Sequence, residues 1–348
     1  MSVLEDPTHM TRRDHNIPYP VPIWDHWSPA AAGFDPLKMV AAKQWLEAQA
    51  KPTKTPYRIV IVRGGKIVVE WEYITSRGAM LELKSAAKSV FATILGMAIL
   101  DGKIGSVNDR VVDYYPEMMD VPKGCGPKPG RYAFEKDRAI TFRHLISNTS
   151  GYMKPGEEPG QVFHYQTYGM NILTHAIAKT YGLYDSNDPD HSPGLNALID
   201  DWLKKPLRAH WDHYVGNFDL HPDARTHIFG NYQGMKATAL DMARLGWLWC
   251  MKGIWKRKRL IPIAWLEEAT HTAPDILANC PEDQWRYGYG FWTNDHGKLW
   301  PHLPRDSFAA SGAGKQHIWV CPRLELIVVQ SPGIYEDQAD NDTGLLRL

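Results

Sequence analysis

The sequence predicts an α+β fold in which both ends of the chain contribute strands to one antiparallel sheet. Strand-like segments rich in β-branched residues occupy residues 57–73 and return at 287–293, 317–320 and 326–330. Mostly helical patterns fill the region between them. Because strands of one sheet must pair, the two chain ends meet, helices flank them, and the middle of the chain forms a mainly helical second lobe.

We expect the chain to divide into three parts. These are an N-terminal arm over residues 1–30, a sheet lobe made of residues 31–115 together with 286–348, and a mainly helical lobe over residues 116–285. A crevice between two packed lobes is a common position for a binding site. We therefore expect the active site between the lobes.

Composition and charge exclude several classes of partner. The 348 residues include 39 basic and 39 acidic side chains, so the formal net charge is zero. Nucleic acids and anionic membranes attract basic surfaces, so neither is expected as a partner. No apolar run approaches the roughly 18 residues of a membrane span. The first 27 residues lack the apolar stretch of about 7–15 residues of a signal peptide, which predicts a cytoplasmic protein, or one whose leader was removed.

The sequence contains no motif for a metal or a cofactor, and we expect neither. It lacks H-E-x-x-H and a Walker-type phosphate loop. His210 and His213 have no third ligand nearby, which favours two solvated histidines. The four cysteines show no C-x-x-C spacing and are expected to be free thiols: Cys125, Cys250, Cys280 and Cys321.

Three local elements near the N-terminus have clear signals. Helical spacing over residues 35–50 begins with Asp35 as a candidate cap and Pro36 in the first turn. A Gly-Gly pair inside residues 57–73 predicts a hairpin with a two-residue turn. Residues 84–105 predict a helix that is apolar from 86 to 100, ends near Gly102, and is buried in the middle of the protein. Further helical patterns lie at 141–146, 171–179, 195–203 and 239–251.

The strongest candidate for chemistry lies at the start of that apolar helix. Ser85 and Lys88 are three residues apart, so they share one helix face and the amine reaches the hydroxyl. A serine is a poor nucleophile until a neighbour removes its proton, and a buried lysine with a lowered pKa can do so. The alternative is a structural pair, with Ser85 as a helix cap and Lys88 extending to solvent. The G-x-S-x-G turn of another serine hydrolase class is absent.

Six stretches of the sequence, spread over about residues 30–335, resemble segments of one protein family and follow one another in the order found in that family. The sequence is similar to the serine β-lactamase/penicillin-recognising superfamily, and specifically to its class C-like branch of esterases and 6-aminohexanoate-dimer (nylon oligomer) hydrolases. The stretches are IVIVRGGKIVVEWEY, SAAKSVFATILGMAILDGKIGSVNDRVVDYYPE, ITFRHLISNTSGY, FHYQTYGMNILTHAIAKTYG, GNYQGMKATALDMARLGWLWCMKG and ASGAGKQHIWVCPRLELIVVQSP.

The resemblance implies a role for each matched residue. Ser85 would be the acylated nucleophile, Lys88 its general base, and Tyr165 a second proton shuttle whose pKa Lys88 lowers. The oxyanion hole would be the backbone N–H groups of Ser85 and Ala313, and Gly312 would let the substrate approach closely.

The sequence also departs from the family pattern. Asn148 stands where His is usual, Thr167 replaces the amide of the Tyr motif, and Ala310 replaces the Lys of the third motif. Without that Lys, efficient β-lactam hydrolysis is not expected unless Lys315 takes over carboxylate binding. The substrate pocket is expected to contain Tyr152, Thr167, Tyr168, Tyr289, Trp292, Ser311 and Gly312.

The leading hypothesis is a serine hydrolase that cleaves a carboxylic ester or a small linear amide through an acyl-enzyme. A second hypothesis on the same fold is a β-lactamase or a D-Ala or D-amino-acid peptidase. A third, of another class, is a catalytically silent ligand-binding protein. The expected partner is a small-molecule ester or amide, and a homodimer is the candidate assembly.

Overall fold

The computed structural model describes residues 18–20, 23–217, 220 and 225–333. Most of the predicted N-terminal arm, residues 1–17 and 21–22, lies outside the described residues. The strands are β1 Tyr57–Arg63, β2 Lys66–Tyr73, β3 Leu81–Glu82, β4 Asp212–Gly216, β5 Tyr232–Ala237, β6 Ile254–Trp255, β7 Lys258–Arg259, β8 Trp292–Thr293, β9 Phe308–Gly312, β10 Gln316–Cys321 and β11 Leu326–Gln330. The α-helices are α1 Pro36–Thr53, α2 Ala87–Leu100, α3 Phe142–Ile146, α4 Tyr168–Thr180, α5 Asn196–Ile199, α6 Lys205–Leu207, α7 Thr226–Phe229, α8 Ala239–Cys250, α9 Ile263–Ala269 and α10 Pro274–Asn279.

The main sheet joins the two ends of the chain. Its six strands follow the order β2-β1-β11-β10-β9-β8, and neighbouring strands are antiparallel where the register is defined. The first strand pairs directly with the last, with Ile59 opposite Gln330 and Arg63 opposite Leu326. The predicted α+β class, with one antiparallel sheet built from both chain ends, is confirmed.

Two elements near the N-terminus form as the sequence predicts. Gly64 and Gly65 connect β1 to β2 with φ values of +56° and +74°, which a two-residue hairpin turn with positive φ requires. The Asp35 carboxylate accepts the N–H groups of Leu37 and Lys38 at 2.8 and 3.4 Å and caps α1. That helix continues beyond the predicted end to Thr53.

The main sheet separates two apolar layers. On one face, α2 and α8 pack against alternating strand residues such as Ile318 and Ile327, and most of α2 is fully buried. On the other face, α1 covers residues such as Trp319 and Val328. Burial of α2 in the centre of the protein is confirmed, and it places the residues at the start of this helix inside a water-poor region.

The structure differs from the predicted elements in three places. Residues 287–293 form only the short strand β8, because Gly290 adopts φ +74° and packs against the Lys88 carbonyl. The helix predicted over 195–203 is interrupted by a π-helical turn, Asp200–Lys204. A second sheet with the order β3-β5-β4 forms in the region predicted to be mainly helical.

Within the ranges given above, no helix has both the length and the apolar character needed to cross a membrane.

Candidate active site

The turn that carries Ser85 is held between the small sheet and the main sheet. Ser85 lies in a 3₁₀ turn, Lys84–Ala86, directly before α2. The Leu83 N–H donates to the Met235 carbonyl at 2.8 Å, and the Tyr232 hydroxyl donates to the Lys84 carbonyl at 2.7 Å. No side chain caps this turn or α2. The alternative role of Ser85 as a helix cap is therefore wrong, and its hydroxyl is available for another partner.

Lys88 turns its amine toward Ser85 rather than toward solvent. Its Nζ donates to the Ser85 Oγ at 2.9 Å, and the residue is only 1% exposed. Burial disfavours the charged ammonium and lowers the pKa of Lys88 to about 7. The expected lowering of this pKa is confirmed, whereas a lysine extending to solvent is excluded. Near neutral pH the amine is therefore in large part unprotonated and able to accept a proton.

Tyr165 completes a three-residue cluster. Its hydroxyl is hydrogen-bonded to Ser85, and the Lys88 Nζ lies 4.9 Å from the centre of its ring. Burial raises the pKa of Tyr165 to about 12, and the hydrogen bond with Ser85 offsets this only in part. The expectation that Lys88 lowers this pKa is wrong, because a neutral amine does not stabilise a phenolate. Tyr165 thus remains a proton donor while Lys88 is the acceptor.

Asn148 holds the backbone on both sides of Tyr165. Its carbonyl accepts the His164 N–H at 2.9 Å, and its side-chain Oδ1 accepts the Gln166 N–H at 2.9 Å. Asn148 has φ +58°, a left-handed conformation that asparagine tolerates better than most residues. The departure from His noted in the sequence therefore coincides with a backbone position suited to Asn.

Two aromatic side chains fix the orientation of the Tyr165 ring. Trp292 stacks on it at 5.6 Å between ring centres, and Tyr287 packs edge-on at 5.8 Å. Trp292, predicted as a substrate-binding residue, thus contacts Tyr165 directly. Tyr287 is a site residue that the sequence did not reveal, although it lies in the same predicted strand as Trp292.

Strand β9 passes extremely close to the Ser85 turn at Gly312. A Cβ at this position would lie 2.1 Å from the Leu83 carbonyl oxygen and 3.1 Å from the Ser85 nitrogen. Only glycine permits that approach. Gly312 therefore brings the following residue, Ala313, to the same cavity as Ser85.

A cavity of about 280 Å³ opens beside Ser85. Part of its wall is one face of the small sheet, where Tyr214 on β4 leans over Gly234 on β5. A Cβ on Gly234 would lie 2.2 Å from the Tyr214 ring, so glycine makes room for it. The sequence did not reveal Tyr214 or Tyr232 as lining residues, because no local pattern marks the strands that carry them. The lining residues are Lys84, Ser85, Thr167, Tyr214, Gly216, Tyr232 and Ala313.

The structure does not bring all predicted substrate-binding residues to this cavity. Thr167 lines it, directly before α4. Tyr152 is buried and donates to the Met118 carbonyl at 2.7 Å, so it belongs to the core. Tyr289 is also buried, and its hydroxyl donates to the Glu268 carboxylate at 2.6 Å. Neither tyrosine has a free face toward Ser85.

Two more predicted residues face elsewhere. Tyr168 packs edge-on against Phe229 at 5.9 Å and is half-buried. Ser311 alternates with Gly312 along β9, so its side chain points to the opposite face of the main sheet. There its Oγ lies 3.0 Å from the His317 Nδ1.

The histidine pair considered in the sequence is not assembled into a metal site. The His213 Nε2 lies 2.6 Å from an Asp200 carboxylate oxygen, while His210 is exposed. Among the residues whose positions the structure gives, no group of three or more His, Cys, Asp or Glu side chains is arranged to hold a metal ion.

Comparison with known proteins identifies the family of this chain. The β-lactamase family model matches residues 57–330, and this range contains every member of the cluster and the cavity. No curated protein sequence matches the chain.

Solved structures share the fold. A penicillin-binding protein homologue from Caulobacter crescentus is 14% identical, with a TM-score of 0.61 over 88% of this chain and 96% of that chain. A family VIII carboxylesterase is 16% identical, with a TM-score of 0.59 over 85% and 92%. A 6-aminohexanoate-dimer hydrolase homologue from Bacillus anthracis is 17% identical, with a TM-score of 0.55 over 84% and 78%. At these identities the likeness shows the fold alone. The family match runs from the first strand of the main sheet to the last, and the chain belongs to the β-lactamase family.

Proposed function

We propose that the protein is a serine hydrolase that cleaves a carboxylic ester or a small linear amide through an acyl-enzyme. The observation that carries the proposal is the contact of 2.9 Å between the buried amine of Lys88 and the hydroxyl of Ser85. Family membership supports hydrolysis as the general class of reaction. The absence of a side-chain cap at this helix start leaves the hydroxyl without a structural role.

Acylation would use all three residues of the cluster. The neutral Lys88 amine takes the proton from the Ser85 hydroxyl as its oxygen attacks the substrate carbonyl. The backbone N–H groups of Ser85 and Ala313 stabilise the oxyanion, a role that the close approach of β9 at Gly312 supports. Tyr165, whose raised pKa keeps it protonated, gives its proton to the leaving oxygen or nitrogen as the carbonyl–heteroatom bond breaks. The proton on Lys88 restores Tyr165.

Deacylation reverses these transfers with water as the nucleophile. Water gives a proton to the cluster, its oxygen bonds to the acyl carbon, and the bond from that carbon to the Ser85 oxygen breaks. Ser85 regains a proton and the carboxylic acid leaves. No oxidant, metal or cofactor is needed to balance either half of the reaction.

Esters and linear amides are preferred over β-lactams as substrates. Ala310 lies on the face of β9 that packs toward the nucleophile helix, where the family pattern has Lys. A methyl group there offers no cation to a β-lactam carboxylate. Lys315 lies beyond β9, in the turn before β10, and is not among the lining residues of the cavity.

The position of the cavity agrees with the proposed division into two lobes. Ala313 follows a strand of the main sheet, whereas Tyr214 and Tyr232 belong to the region assigned to the second lobe. We propose that a small substrate enters between them.

Covalent labelling tests the proposal directly. A fluorophosphonate should label Ser85, with the adduct located by peptide mass spectrometry, and Ser85→Ala should abolish labelling and turnover of p-nitrophenyl butyrate. Ser89→Ala is a matched control, because the Ser89 hydroxyl lies one turn away and donates to the Gly290 carbonyl. Absence of labelling at neutral pH would favour a silent binding protein. Hydrolysis of nitrocefin faster than that of the ester would favour a β-lactamase.

A further inference from the structure

The wall of the cavity changes from aromatic to charged along one face of the small sheet. Tyr214 and Tyr232 lie against the cavity beside Ser85. Two residues beyond Gly234 on the same face, Lys236 on β5 is flanked across the strands by Glu82 on β3 and Asp212 on β4. Side chains two apart in a strand share a face. An acyl chain that follows the aromatic part of this wall therefore approaches charged side chains.

A fourth charged residue, Lys84, borders the cavity itself. Lys84 is one of the lining residues, and its side chain is about half exposed, at 49%. Its backbone has φ +52°, which a glycine or an asparagine would adopt at lower cost. A lysine thus borders the cavity directly before Ser85 in spite of an unfavourable backbone conformation, and its half-exposed side chain has room to turn toward the cavity.

The present partner of Lys84 is easy to replace. Its ammonium forms an ion pair with the Glu82 carboxylate, and this contact holds the pKa of Glu82 below its usual range. Glu82 is one-third exposed, at 34%. Ion pairs between partly exposed side chains contribute little to stability. Another carboxylate can therefore take the place of Glu82 at small cost.

If the proposed function is correct, the cavity lies on the side of Ser85 that receives the acyl group of the substrate. Tyr165 is the proposed proton donor to the leaving group, so the leaving group is expected on its side of Ser85. Tyr165 and Lys88 are absent from the lining residues, whereas Ser85 and Ala313 are present. The part of the substrate that enters the cavity is then the acyl group.

We propose that the preferred substrates are esters or amides whose acyl chain ends in a carboxylate, and that Lys84 binds this carboxylate in exchange for Glu82. The aliphatic part of the acyl chain packs against Tyr214 and Tyr232. Lys84 is thus a specificity-determining residue for the acyl group, at a position outside the third motif.

Three esters with one leaving group test the proposal. Mono-p-nitrophenyl adipate, p-nitrophenyl hexanoate and p-nitrophenyl 6-aminohexanoate have similar acyl chains that end in a carboxylate, a methyl group and an ammonium. We expect the highest kcat/KM for the adipate ester. Lys84→Met should lower its kcat/KM about tenfold, mainly through KM, and leave the hexanoate ester within about threefold.

Two further variants act as controls. Glu82→Gln should raise kcat/KM for the adipate ester, because the competing carboxylate is gone. Lys236→Met removes the same unit charge from the same sheet face, but its Nζ lies over the Tyr214 ring at 5.6 Å and outside the cavity lining. It should change the adipate-to-hexanoate ratio less than about threefold.

Failure of this inference can be distinguished from failure of the proposed function. Hydrolysis of the hexanoate ester with no preference for the adipate ester, or equal losses on both esters in Lys84→Met, would overturn the role of Lys84 alone. A preference for the ammonium ester that Glu82→Gln abolishes would assign the subsite to cations instead. Binding of monomethyl adipate to the Ser85→Ala variant can be measured by calorimetry, and this measurement does not depend on catalytic turnover. Loss of this binding in Ser85→Ala/Lys84→Met supports the proposal even without hydrolysis, and unchanged binding refutes it.

Discussion

Replacement of Gly312 by alanine tests whether the close approach of β9 to the Ser85 turn supports catalysis. An added Cβ would lie 2.1 Å from the Leu83 carbonyl oxygen, 2.9 Å from the Ala86 nitrogen and 3.1 Å from the Ser85 nitrogen. All three atoms are backbone atoms, so no side-chain rotation relieves the contact. The strand or the turn must therefore move.

The size of the movement sets the expected loss. Contact distances for a Cβ begin at about 3 Å, so β9 and the turn must separate by roughly 1 Å. A displacement of about 1 Å at a reacting centre costs about 10²-fold in rate, and loss of one oxyanion donor costs about 10²- to 10³-fold. We expect kcat for p-nitrophenyl butyrate to fall by about two orders of magnitude.

The assay compares Gly312→Ala with Gly78→Ala. Nothing lies within 4 Å of a Cβ at Gly78, and its φ is not in the left-handed region, so this control should keep wild-type activity. Circular dichroism and thermal unfolding check that both variants fold. A folded Gly312→Ala variant with kcat within about threefold of wild type would refute the proposed oxyanion hole.

Three other perturbations separate the roles of the cluster. Lys88→Met should raise the free energy of unfolding at pH 7 by about 3 to 5 kcal/mol while abolishing turnover. An amine with a pKa of about 7 when folded and about 10.5 when unfolded destabilises the folded protein most below pH 7, and this cost disappears as the pH rises to about 10.5. In urea titrations this gain should shrink as the pH rises toward 10.5, and a variant less stable than wild type at pH 7 would contradict it. For the wild type, kcat/KM should rise with pH up to about 7, as Lys88 loses its proton, and stay level to pH 10, because Tyr165 titrates near 12. A profile that is flat between pH 5.5 and 8 would count against Lys88 as the base. Tyr165→Phe should lower kcat about a hundredfold or more, and an effect below about threefold would remove Tyr165 from the mechanism.

Much of the fold could be predicted from patterns within short stretches of the sequence. The cap at Asp35, the glycine pair at Gly64 and Gly65, and the apolar run of α2 each determine structure over a few residues, and each element forms as predicted. The meeting of both chain ends in one sheet also follows, because strand-like segments occur at both ends and the strands of one sheet must pair.

The small sheet was missed because its strands lack a local signal. The helical pattern predicted at 239–251 begins after β5, so no element is predicted for residues 232–237, and the conformation of β4 depends on packing of Tyr214 against Gly234. Such a contact between two segments far apart in sequence leaves no periodic pattern. The aromatic wall that Tyr214 and Tyr232 form in the cavity therefore could not be predicted from one sequence.

The predicted pocket contains aromatic residues near the expected cleft, and this prediction is wrong for aromatic side chains that are buried. Tyr152 and Tyr289 lie near motif segments, yet their hydroxyls are hydrogen-bonded within the core. The Ser85–Lys88 contact was predictable because helical spacing alone brings the two side chains together. The raised pKa of Tyr165 could not be predicted from the sequence, because it depends on how deeply the ring is buried.

The most direct test of the account is a pH titration of Lys88 itself. In protein labelled with ¹³C at the lysine Cε, the Lys88 signal is identified by its absence from Lys88→Met, and its chemical shift reports protonation of the amine. We predict a midpoint near pH 7 for this signal. A midpoint near 10, as for a solvated lysine, would mean that the amine beside Ser85 is charged at neutral pH and cannot act as its base.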